Sequence, residues 1–153
     1  MARPSRHRLT AVAMFILPAC TPHPVGPART FAKFEGKAVT TAEGALSAVE
    51  TVRLAARTGS KGDGFGPYLS VLISDQEESL SGLQGTFSSI QPPDSHATNL
   101  RSELGRLLSA ALDHVIDVRT AARQGDLRGL SATAQPLAGD AAGLDEFIDK
   151  HRS

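Results

Sequence analysis

The sequence predicts an all-α protein: an up-down-up-down antiparallel four-helix bundle, preceded by an N-terminal leader and a flexible tether. Three observations carry this. Apolar residues recur at helical spacing through four long segments, and no run alternates in the manner of a strand. The segments are joined by short Gly- and Pro-containing connections, which force neighbouring helices antiparallel. The chain is rich in Ala and Leu, only 5% aromatic and without Trp. That composition suits helices packed closely through small side chains.

The first helix is expected to start at Thr40. Thr40-x-x-Glu43 fits a capping box, in which hydroxyl and carboxylate each satisfy a backbone N–H. Ala42, Ala45, Leu46, Val49, Val52 and Ala56 share one face, and Gly59 ends it. After the loop Ser60–Gly66, Pro67 suits a first helical turn. The second helix carries Leu69, Leu72, Ile73, Leu80, Leu83, Phe87 and Ile90 and stops at Gln91-Pro92-Pro93-Asp94. Asp94 or Ser95 caps the third, which holds its period from Leu100 through Leu104, Leu107, Leu108, Ala111, Val115 and Val118 to Ala122. Gly125 supplies a left-handed C-cap and Asp126 a new N-cap. The fourth carries Leu127, Leu130, Ala134, Leu137, Ala141, Leu144, Phe147 and Ile148, with Pro136 expected to kink it or split it near Gln135.

The N-terminus is organised differently. Residues 1–19 join a basic stretch (Arg3, Arg6, Arg8) to a short apolar run and a small residue, the pattern of a secretory signal. The run closes as "LPAC", Leu17 to Cys20, and Cys20 is the only cysteine. These four residues resemble the bacterial lipobox. The resemblance implies cleavage between Ala19 and Cys20 and a diacylglyceryl group on the Cys20 thiol. Acyl chains hold a protein at a bilayer surface, each buried CH₂ contributing ~0.8 kcal/mol. The alternative is an ordinary secretory signal with a chance cysteine. Residues 20–39 then read as a lipidated Cys and Pro-rich tether (Pro22, Pro24, Pro27), with Phe31 and Phe34 partly ordered at best or docked on the domain. Residues 40–153 form the expected bundle.

The whole chain has 16 basic and 16 acidic residues. Loss of residues 1–19 removes three Arg and no acid, leaving 13 basic against 16 acidic and a net of −3. That balance argues against nucleic acid as a partner and against adhesion to anionic lipid by charge.

No catalytic motif appears. Glu-x-x-His pairs, Cys-x-x-Cys-His and His-Glu-x-x-His are absent, and "GDGFG" lacks the Lys-Ser or Lys-Thr of a phosphate loop. Calcium at Asp63 would have too few acidic ligands. One constellation remains. Folding the helices about their connections brings Glu50, Gln76, His114 and Gln135 to one level, with Asp117 three residues beyond His114. Such a layer suits a metal or a small polar ligand. The plainer reading makes His114 a boundary residue, pairs Glu50 with Arg53, and leaves Gln76 to fix helix register. Likewise, Asp75, Glu77 and Glu78 form a solvated face with Arg53 and Arg57 at nearby levels, or else a docking surface.

With "LPAC", the stretches "IQPPDSHATNLRSELGRLL" (90–108) and "DHVIDVRTAARQGDL" (113–127) make the chain similar to small lipoproteins of high-GC Gram-positive bacteria that carry a helical bundle. The resemblance supplies no catalytic residues and implies no cofactor. The expectation is a non-enzymatic protein, lipid-anchored on the outer face of the cell membrane and acting on an envelope protein or as a structural module. A metal- or ligand-binding bundle, a sensor or carrier, is the alternative.

Overall fold

The computed structural model describes residues 28–62 and 66–152. The leader, Ala19, Cys20, the tether up to residue 27 and Asp63 lie outside the described residues. Within them the protein is all-helical, with no strand: α1 Phe31–Ser60, α2 Gly66–Ser89, α3 Ser95–Arg123, the single turn α4 Leu130–Thr133, and α5 Leu137–His151.

Helix α1 corrects the expected start. It begins at Phe31, not Thr40, and its N-cap is Thr30, whose Oγ1 accepts the Lys33 N–H at 3.3 Å. Thr40 sits inside the helix and donates its hydroxyl back to the Gly36 carbonyl at 3.0 Å. Glu43 accepts from Arg152, the residue just past α5, at 2.7 Å instead of closing a capping box. The cause is apolar burial. Phe34 and Ala38 have no exposure and Ala28 has 3%, so the stretch assigned to a tether belongs to the core from residue 28 onward.

The other boundaries follow local chemistry. Asp94 Oδ1 accepts the Ala97 N–H at 2.8 Å and starts α3. At its end the Asp126 N–H reaches the Ala121 carbonyl and the Gly125 N–H reaches Ala122, both 3.1 Å. That pair of bonds is a Schellman motif, and it needs the positive φ (78°) that Gly125 provides. Asp126 Oδ1 accepts the Gly129 N–H at 3.0 Å, but this closes a turn and does not cap a helix: residues 127–129 stay in turns, and α4 starts at Leu130 behind Gly129, which makes no side-chain cap bond. Pro136 splits the last segment. Having no N–H, it leaves the Ala132 carbonyl to Gln135, and three-residue bonds carry the chain into α5.

The buried faces repeat every seven residues. In α1 they are Ala38, Ala45, Val52, Gly59 and Ala42, Val49, Ala56; in α3, Ala97, Leu104, Ala111, Val118 and Leu108, Val115, Ala122. This is the 3.5-residue period that keeps one seam against a neighbour. Small residues on the seam receive large ones. Gly44 faces Leu83, Gly59 faces Leu69 and Leu130, and Gly143 faces Leu107, each close enough that a Cβ would meet the leucine methyls. Phe34 packs on Phe87 with ring centroids 5.4 Å apart. Among the described residues, no polar or charged residue is buried.

Candidate functional site

An interior made only of apolar side chains leaves the functional groups at the surface and in clefts between helices. His114 stands on α3 at the edge of the Ala111–Val115–Val118 seam, its side chain 35% exposed. Its Nδ1 lies 2.7 Å from Asp140 Oδ2 in the first turn of α5. That position favours a carboxylate near the positive end of the helix dipole. Sequence reasoning missed Asp140 and placed Gln135 at this level. The turn from Gln124 to Gly129 uses up residues before helix resumes, so the residue facing His114 comes later in the chain.

The other members of the expected layer go elsewhere. Glu50 pairs with Arg53 within α1. Gln76 is half-buried on α2, and its side chain makes no hydrogen bond to another described residue. Asp117 and Gln135 are exposed. Among the described residues, no three His, Cys, Asp or Glu side chains converge as a metal-holding group. The acidic stretch of α2 turns to α3 instead of α1. Glu77 pairs with Arg119, and Ser74 Oγ meets Arg123 Nη2 at 3.5 Å.

Two features were not read from the sequence. The first is a polar clasp where α5 ends. His151, its side chain 13% exposed, stacks on Phe147 at 4.7 Å. Its Nδ1 is 3.1 Å from Glu35 on α1, and its Nε2 is 3.9 Å from Glu103 on α3. Lys150 pairs with Glu103 at 2.8 Å, so the clasp ties α5 to both helices.

The second is a cleft of about 640 Å³ between the last turns of α1 and the α4 turn. Arg53 and Arg57 come from α1 and Arg128 from the segment leading into α4. Ser60, Ser131 and Gln135 add polar groups to its wall. Arg57 and Arg128 are exposed and pair with no carboxylate among the described residues. The sequence does show Arg53 and Arg57 on one helical face, four residues apart. The third arginine arrives only through the turn at Gly125.

Among the described residues, no helix is long and apolar enough to cross a membrane. No protein-family model, no curated protein and no solved structure matches the chain.

Proposed function

We propose that this chain is a bacterial envelope lipoprotein, held on the outer face of the cell membrane by lipid on Cys20. It works without catalysis, through contacts made by its helical domain. The observation that carries the reading is the sole cysteine in "LPAC", directly after a basic stretch and an apolar run. With α1 starting early, the leash in this reading is short. Only residues 21–29 separate Cys20 from the N-cap Thr30. At about 3.5 Å per residue, the α1 start then stays within ~35 Å of the acyl chains.

In this reading the domain is an up-down-up-down antiparallel bundle with a near end and a far end. End-to-end contacts support the arrangement. Phe31 meets His96 and Phe34 meets Phe87, while the far end of α1 brings Gly59 against Leu69 and Leu130. Among the described residues, the large apolar side chains that stay most exposed, Leu54, Tyr68 and Val71, lie in the last turns of α1 and the first turns of α2. They stand at the end away from the anchor, where a partner in the envelope has access.

Membrane fractionation of a Cys20→Ala variant tests the anchor. The wild-type chain is expected in the membrane fraction, and the variant in the medium or as an uncleaved precursor. A variant that is processed and retained in the membrane like the wild type contradicts the reading.

A further inference from the structure

We propose that the cleft between the end of α1 and α4 binds a phosphoryl group carried by a small solute. Its charge argues for an anion. Three guanidinium groups line it, and Glu50 pairs with only one of them, Arg53. Two positive charges remain, on Arg57 and Arg128, without a carboxylate partner among the described residues. Asp126, the acid closest to Arg128 in sequence, accepts the Gly129 N–H. A phosphate monoester, with about 1.5 to 2 negative charges near neutral pH, balances that excess. A single carboxylate leaves half of it unmet.

The donors fit the same chemistry. Guanidinium groups present planar pairs of N–H donors that match phosphate oxygens. The side chains of Ser131 and Gln135 make no hydrogen bond to other described residues and so are free to donate. The volume of about 640 Å³ falls within the range of small-molecule sites, well above that needed by one inorganic ion. Placement then separates two sources of phosphate. Along α1, Arg57 lies 26 residues beyond Phe31, a helical rise of about 39 Å. The cleft therefore opens at the end of α1 remote from the tether, away from headgroups of the membrane that holds Cys20. Binding there does not depend on the anchor, so the two proposals fail separately.

The test is calorimetric titration of inorganic pyrophosphate into the full chain, purified in neutral detergent. Saturable one-to-one binding is expected, weakening as salt is raised. Arg57→Gln/Arg128→Gln is expected to weaken it at least about tenfold, since charge-assisted bonds to two oxyanions are lost. Arg101→Gln/Arg106→Gln removes equal charge from α3 outside the cleft and is expected to bind like the wild type. Thermal melting checks the fold. If the cleft double variant melts below the wild type, Arg128→Gln alone is compared, with a several-fold loss expected. Absence of saturable binding, or equal losses in the two double variants, overturns the proposal. Displacement of pyrophosphate by micelles doped with phosphatidylglycerol overturns the solute source and assigns the cleft to lipid headgroups.

Discussion

Phe34 has no exposed surface, and its ring lies 5.4 Å from that of Phe87. Phe31, three residues earlier, only packs against the edge of the core and meets His96 at 6.2 Å. The two therefore carry unequal weight. Phe34→Ala removes a fully buried aromatic ring and is expected to destabilise the fold by about 3–5 kcal/mol in chemical denaturation. Phe31→Ala is expected to cost clearly less. Equal, small effects for both would return residues 31–39 to the tether. The signal for their helicity is present in the sequence, as Phe31, Phe34 and Ala38 stand at helical spacing. It was masked by three prolines just upstream and by a plausible capping box at Thr40. A capping box is a local pattern, and burial of Phe34 outweighs it.

Helix α2 shows the same competition at the scale of an element. Its seam runs Ile73, Leu80, Phe87 in one row and Leu69, Gln76, Leu83 in the other, with Ile90 continuing the second row just past its end, so Gln76 alone breaks the seven-residue repeat. Its side chain finds no partner among the described residues, and so contributes little beyond marking the seam. Gln76→Leu is expected to raise stability by about 1 kcal/mol, read as an upward shift in thermal melting. A loss of stability, or a change in oligomeric state, would show instead that Gln76 sets helix register. Apart from the start of α1, the helices were legible because period, caps and stops agree. Asp94 caps α3, Gly125 ends it, and Pro136 splits the last segment. Side-chain partners were less legible. Pairing Glu77 with Arg119, or His114 with Asp140, depends on register between helices, and a shift of one turn replaces one partner by another. The cleft was hidden for the same reason, since Arg128 joins Arg53 and Arg57 only through tertiary structure.

For the whole molecule, the chemistry separates along α1. The described chain enters beside Phe31, and the α5 end is clasped there through His151 to Glu35 and Glu103. The arginine cleft and the exposed Leu54, Tyr68 and Val71 occupy the opposite end. On the proposed anchoring, a lipid at Cys20 would direct one of these ends to the membrane and the other into the envelope. On the same proposal, the lipid and not charge would hold the chain at the membrane, because cleavage before Cys20 would leave a net charge of −3 that anionic lipid repels. Whether the chain is anchored in this way comes down to the covalent state of Cys20. Mass spectrometry of the N-terminal peptide, taken from protein extracted from its own host's envelope, reads that state directly. The account predicts a mature chain that begins at Cys20 and carries a diacylglyceryl group on its thiol. A free Cys20 thiol, or a chain whose N-terminus lies elsewhere, would contradict it.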